Sequence, residues 1–541
     1  MFRSSFAPYG RSRTLQVLFS FLVICTLLST VRLYRRQPPP PSIYDYTDGK
    51  TRGAQQNDTS ATRPLSDETL YLRYLVKKYG LTNEIPWFAR RIRLQFAAKA
   101  RKSMTEVSGS KFLYRDFQRV RTDDERLDLH AEKSVTLSVT KSATPDQVDA
   151  SSLLFGISTS FDRLTYGNSS LIHDWARWLT DGKGVPNGAS LVLTLHRATD
   201  SEVSHISSKL RSIGIDAIVL PAEEAQDSTA RYLDLVHLLS RRKDELLTEE
   251  YEKKYLALVD DDVFFPSLGK LLSRLSKYSP RKKFYLGLPS EQADWTVEND
   301  VTLTYGGGVV FLTPPMADAV SKLPCLNTTA PSSAARAESK RGQWDAMLYT
   351  CIATHTSSQL HILPSLSTPL SPQTGAAYTS DVQPLTLHHY KQRHRFEAGK
   401  AHLLTSLCGE DCFLQRFFFR DDGWVLVAGH SISAYPDGVA IEPAPLTDRD
   451  PENKVGERLV LAAQPVPADR KLVSWAGAKR TWRLLDSRAG LDGAVWQAYV
   501  RHRGSAAAYA DEDDRLPEDD TVHTLEGPAD VDSVVVLIWE R

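Results

Sequence analysis

The stretch KKYLALVDDDVFFPSLGKLLSRL, Lys253 to Leu275, decides how the rest of the chain is read. Tyr255 to Val259 has the composition of a buried strand. Asp260, Asp261 and Asp262 stand at its carboxyl end. Pro266 then opens a helix whose apolar stripe is Leu268, Leu271, Leu272 and Leu275, spaced i, i+3, i+4, i+7. Three adjacent carboxylates repel one another. A hard divalent cation removes that repulsion; Mg²⁺ and Mn²⁺ prefer oxygen ligands and commonly bridge carboxylates to substrate phosphates. Two readings stand on this motif alone: a metal–diphosphate site, or a solvent-facing acidic turn that caps the next helix.

Upstream, the text is that of an α/β protein. Strands are expected over Ser151–Thr159, Ala189–Leu195 and Asp216–Leu220, with helices over Ser170–Leu179 and Ser204–Ile213 between them. This alternation predicts βαβ units and a mostly parallel sheet, which binds ligands beyond the carboxyl ends of its strands. The aspartates fall at such an end.

Three further pieces follow downstream. Gly306, Gly307 and Gly308 precede a β-type run, Val309 to Leu312. They allow close backbone approach to a ligand, or mark a structural bend; no Gly-Lys-Ser/Thr makes them a phosphate loop of the Walker type. Asp345 starts a helix that runs through Met347, Leu348, Cys351 and Ile352, and is either an N-terminal cap or a general base facing a crevice. His388 and His389 end a short strand, as structural residues or as ligands.

The whole chain bounds these readings. Of 541 residues, 41% are hydrophobic and 24% charged, which excludes wholesale disorder. Lys plus Arg equals Asp plus Glu at 66 each, so no nucleic-acid partner is expected. Thr14 to Val31 is 18 uncharged residues, flanked by Arg3, Arg11 and Arg13 and by Arg32, Arg35 and Arg36. It reads as a retained signal anchor over 14–33 behind a short tail, 1–13, and it excludes a multi-span transporter. Sequons at Asn57, Asn168 and Asn327 all follow it and favour a lumenal body, hence a single-pass type II protein of Golgi or ER membranes. Cys325, Cys351, Cys408 and Cys412 are an even set in an oxidising compartment. Three pairings exist; Cys408–Cys412 with Cys325–Cys351 is the local one.

Residues 34–150 read as a stem. It holds a Pro-rich linker (Pro38 to Pro41), a helix over Asp67–Tyr79 capped by Ser66 and ended by Gly80, and a segment, 90–121, with ten basic residues. That segment is expected to be a solvated helix. Beyond residue 413, apolar runs around Asp422-Gly423, then TWRLL, AVWQAYV and SVVVLIW, predict a β-rich module over 413–541.

In order, FGISTSFDRL, LALVDDDVFFPSL, FYLGLPSE before TYGGGVVF, WDAMLYTC, LHHYK and CGEDCFLQRF resemble the Fringe-like glycosyltransferases, glycosyltransferase family 31, and most of all its fungal single-span members. The resemblance covers about residues 151–412. It implies a GT-A fold, Rossmann-like with a mostly parallel sheet, and a UDP-sugar donor with Mn²⁺ or Mg²⁺. It implies that Asp262 ligates the metal, with Asp260 and with His388 or His389. Asp345 becomes the base. Asp162, Arg163, Asp260 and Asp261 would meet the nucleotide, and Trp295 and Gly306 to Gly308 would border donor and acceptor. Where the family often has an acidic residue before the base, this sequence has Trp344.

The expected function is therefore an inverting, β-1,3-type transfer of a sugar from a UDP-sugar to a glycan or glycoprotein in the secretory pathway. A catalytically inactive GT-A body that binds glycans or partners is the alternative. A glycoside hydrolase with two carboxylates fits less well, because it needs neither metal nor diphosphate crevice.

Overall fold

Successive strand residues point to opposite faces of a sheet, and here each face has its own apolar set. Leu153, Phe155, Ile157, Ala257 and Val259 enter one core; Leu154, Leu256 and Leu258 enter another. A strand buried on both sides needs a helical layer on each side. The computed structural model has this arrangement. It describes residues 65–222, 227–248, 251–287, 308–326, 344–363, 383–391, 396–443, 471–475, 477–504 and 531–541, with the backbone of 296–298, 301–303 and 459–461.

The eight-stranded sheet runs, in spatial order, Leu459–Leu461, Leu360–Ile362, Tyr285–Gly287, Val309–Leu312, Tyr255–Val259, Leu153–Ser160, Ser190–His196 and Ala217–Pro221. All neighbours pair in parallel except Val309–Leu312, which is antiparallel to both of its own. Helices Phe161–Leu179, Asp200–Ser212 and Leu268–Leu275 cover one face. Helices Ser228–Thr248, Pro314–Val320 and Trp344–His355 cover the other. The α/β sheet expected from the sequence is present, and the strand bearing the aspartates lies inside it.

Two local expectations shift. The helix after the first strand starts at Phe161 rather than Ser170, because the Ser160 hydroxyl accepts the Arg163 amide and caps it there. The helix after the aspartates starts at Leu268, capped by Ser267, so Pro266 precedes the helix rather than opening it. The buried Glu410 carboxylate also accepts the Leu268 and Gly269 amides at 3.1 and 3.0 Å, from outside the helix.

The larger correction concerns 90–121. Glu84–Ala97 is a 14-residue strand, and Gln118–Arg121 another; no described part of 90–121 is helical. Ile85, Trp87, Ile92 and Leu94 are buried, and Arg93 is exposed. The half-buried period of a strand was hidden by the number of charges. Arg90 itself is buried: its guanidinium donates to the carbonyls of Lys111 and Phe112, and the Tyr114 ring lies 4.9 Å away. Backbone carbonyls thus replace water around the charge.

That strand belongs to a ten-stranded sheet. It pairs in parallel with Ser533–Glu540 on one side and with Glu132–Thr140 over its second half. The sheet continues through Val495–Arg501, Arg480–Ala489, Ser431–Ala434, Trp424–Val427 and Arg416–Phe419. The hairpin at Asp422-Gly423 joins the last two. Residues read as a stem and residues read as a C-terminal module therefore share one sheet. The helix Asp67–Tyr79 packs there too: the Asp486 carboxylate accepts the Tyr71 and Tyr79 hydroxyls at 3.1 and 2.6 Å.

Cys325–Cys351 and Cys408–Cys412 are disulfides. The apolar run at 14–33 and the sequons at Asn57 and Asn327 lie outside the described residues. Among the described residues, no helix is long and apolar enough to cross a membrane.

Candidate active site and cation centre

The central strand ends at Val259 and the chain turns at once. Val263–Phe264 then pairs antiparallel with Leu387–His388, with His388 opposite Val263. This two-residue ladder brings the histidine pair against the aspartate turn from more than a hundred residues away. Backbone pairing thus places the two segments side by side.

Each aspartate then has its own work. Asp261 faces back into the fold. Its carboxylate accepts the Thr159 hydroxyl and, at 2.6 Å, the Arg163 guanidinium; its backbone carbonyl accepts the Trp175 indole N–H at 3.1 Å. Burial pushes its pKa up, and Arg163 opposes the shift. Asp260 Oδ1 accepts the Trp344 indole N–H at 2.6 Å, and its Oδ2 lies 3.3 Å from His388 Nε2. Asp262 Oδ1 also lies 3.3 Å from His388 Nε2, and its Oδ2 is 2.8 Å from His389 Nδ1. Burial works against ionisation of Asp262, but the adjacent His388 and His389 imidazoles outweigh it and hold the carboxyl below the usual range.

One ligand atom each from Asp262, His388 and His389 falls within 4.8 Å of the others. The His388 and His389 rings stack at 3.7 Å. His389 is held at φ +52°, a conformation a non-glycine residue adopts only where its surroundings impose it. His388 Nε2 is buried and makes no well-directed hydrogen bond, although two carboxylates sit at 3.3 Å. A buried polar atom in that position fits coordination better than a hydrogen bond. The set of carboxylate and imidazole donors suits Mn²⁺ or a similar divalent ion.

Gly308 closes the far side. Asp260 N donates to its carbonyl at 2.9 Å. Its φ is +74°, and a Cβ there would lie 2.6 Å from His388 Cε1 and 2.9 Å from Asp260 Oδ2. The glycine therefore makes room for the site's own side chains. Gly306, Gly307 and Trp295 lie outside the described residues. Asp162 is exposed in the turn that carries Arg163, apart from the contacts joining Arg163 to Asp261. Asp345 is buried in the first turn of helix Trp344–His355, and its Oδ1 accepts the Ala346 amide at 2.9 Å.

Four residues enter the site without a sequence signal of that role. Thr159 and Trp175 hold Asp261. Trp344 holds Asp260. Tyr232 stacks on Trp344 at 4.5 Å and donates its hydroxyl to the Val259 carbonyl at 2.9 Å. Trp175 and Tyr232 sit among the apolar positions of long helices, where an aromatic residue reads as core.

The electrostatics predict a pH effect. Burial disfavours a charged His388, but Asp260 and Asp262 outweigh it and raise its pKa to about 10, against 6.5 for a free imidazole. A raised folded value contributes stability that is complete below the unfolded pKa and is lost as pH rises through the folded one. The thermal midpoint of chelator-treated protein should therefore fall from about pH 7 to about pH 10, and fall less in His388→Gln. Equal slopes in the two proteins would remove His388 as the cause. A cation competes with this proton, so its uptake should release protons.

No protein-family model matches the chain, and no curated protein does. Solved structures similar to it include a glycosyltransferase involved in glycosylation of the major capsid of PBCV-1, at 12% identity and a TM-score of 0.26, covering 47% of this chain and 98% of that one. The glycosyltransferase GlyE of Streptococcus pneumoniae is similar at 12% identity and a TM-score of 0.29, covering 45% and 55%. The mannosyltransferase PcManGT of Pyrobaculum calidifontis, solved with GDP-Man and Mn²⁺, is similar at 10% identity and a TM-score of 0.21, covering 34% and 50%.

Proposed function

We propose that the chain is a cation-dependent glycosyltransferase that uses a UDP-sugar and inverts the anomeric centre. The observation that carries the reading is the convergence of Asp262, His388 and His389 at the carboxyl end of the central strand, with Asp260 Oδ2 beside His388. The ordered resemblance to family 31 supports the same reading. Asp262, His388 and His389 would hold the cation, which supplies positive charge against the departing diphosphate. Arg163, paired to Asp261 at the rim, orients that carboxylate. Asp345 accepts the proton of the acceptor hydroxyl. The acceptor oxygen forms a bond to C1 of the sugar, the bond from C1 to the diphosphate oxygen breaks, and UDP leaves with the electron pair. The acceptor is a glycan or glycoprotein, and the body faces the lumen of the Golgi or ER behind a signal anchor.

UDP release from a panel of UDP-sugars, with and without Mn²⁺, tests the reading on the full chain. Mn²⁺-dependent release with one donor is the expected result. Mn²⁺-dependent UDP binding without release from any donor would favour the binding body; absence of both would end the glycosyltransferase reading.

A further inference from the structure

Asp260 has two oxygens with different neighbours, and one of them is fixed by a residue that ligates nothing. The Trp344 indole N–H donates to Oδ1 at 2.6 Å. That leaves Oδ2 turned to His388 Nε2, 3.3 Å away, on the side where Asp262 Oδ1 also approaches. The indole is itself immobilised. Trp344 is 5% exposed and stacks almost parallel on Tyr232, at 4.5 Å and 12°. Tyr232 is anchored by its hydroxyl to the carbonyl of Val259, the residue before Asp260. The stack, the strand end and the carboxylate thus form a closed loop of contacts. On the other flank, the absence of a Cβ at Gly308 lets Oδ2 occupy this position: a methyl group there would stand 2.9 Å from it.

The geometry points to Trp344 as a positioning residue for the cation centre. It holds Asp260 in a rotamer that keeps a second carboxylate charge at His388 Nε2, beside the Asp262 ligand set. This inference rests on the cation reading above and adds to it a specific role for the residue at which the sequence departs from the family pattern. An acidic residue there would place a third negative charge against Asp260. An indole adds a donor with no charge, so the carboxylate is oriented without being neutralised. Residues behind a metal ligand typically alter affinity about 10- to 100-fold when removed.

Mn²⁺ binding by the full chain, read by the electron paramagnetic resonance of free Mn²⁺ without substrate, tests this. Trp344→Phe keeps an aromatic ring against Tyr232 and removes only the N–H. Its Mn²⁺ affinity should fall about 10- to 100-fold, while its thermal midpoint in chelator stays close to wild type. Asp260→Ala, which leaves the Tyr232 stack intact, should reproduce the loss, and Trp344→Phe should add nothing in that background. Unchanged affinity in Trp344→Phe or in Asp260→Ala, or a further loss in the double variant, would overturn the role. If the wild type takes up no Mn²⁺, the cation reading itself fails, which is a separate result from wild-type uptake that Trp344→Phe leaves unaltered.

Discussion

Asp262→Asn should abolish Mn²⁺-dependent UDP binding and, with it, sugar transfer. Asp262 meets both histidines of the cluster, one through each carboxylate oxygen. The amide keeps the shape and one acceptor oxygen but loses the charge on which a hard cation depends. The cleanest readout is the thermal midpoint with and without Mn²⁺. A ligand that binds only the folded state raises stability by about 2.7 kcal/mol at a hundred times its Kd. Wild type should therefore gain stability on Mn²⁺ addition, and Asp262→Asn should gain none. The variant should also be less stable than wild type in chelator, because His388 and His389 lose a buried anionic partner. A solvent-facing acidic turn, one of the two readings of the motif, would show no such cost; at 7% exposure Asp262 is inside the fold. An Mn²⁺ shift equal to wild type would remove Asp262 from the cation site.

The sequence was most legible where one local rule sufficed. Tyr255–Val259 is an uninterrupted apolar run, and it is the strand, residue for residue. Ser66 and Gly80 bracket the helix Asp67–Tyr79, and both act as caps: the Ser66 hydroxyl accepts the Thr69 amide, and Gly80 sits at φ +66°. Legibility failed where a long-range partner decides. Glu84–Ala97 carries its charges on a strand whose partners lie at 132–140 and 533–540, so the local excess of Arg favoured a helix that does not exist. Arg90 is tolerated inside because two carbonyls from another loop reach it.

The site shows the same division. The chemistry of Asp260, Asp261, Asp262, His388 and His389 was readable from residue type. Their division of labour was not, because it is set by neighbours. Asp261 differs from Asp262 only in what surrounds it: Arg163, Thr159 and Trp175 on one side of the turn, two imidazoles on the other. A one-residue step around a turn exchanges these environments. Sequence spacing alone does not tell which aspartate faces which way. Trp344 was visible only as an anomaly, and its partner Asp260 stands 84 residues earlier.

Asp345→Asn should slow transfer about 10²- to 10⁴-fold, the range of a general base, while leaving Mn²⁺ and UDP binding unchanged. That loss corresponds to about 3–5 kcal/mol in the transition state. The competing role is local. Asp345 lies in the first turn of its helix, where its Oδ1 accepts the Ala346 amide. A carboxylate there stabilises the helix by about 0.3–1 kcal/mol through the dipole, and Asn retains the acceptor. The two roles therefore differ several-fold in energy and appear in different measurements. A base costs rate and spares the thermal midpoint; a helix-stabilising carboxylate costs a small shift in the midpoint and spares rate. Because Trp344 joins this same turn to Asp260, a third pattern is informative as well. If Asp345→Asn lowers Mn²⁺ affinity along with rate, the substitution has moved the helix start and disturbed Asp260, and the rate loss is no longer a measure of proton transfer. Loss of rate at unchanged Mn²⁺ affinity assigns the base, and near wild-type rate refutes it.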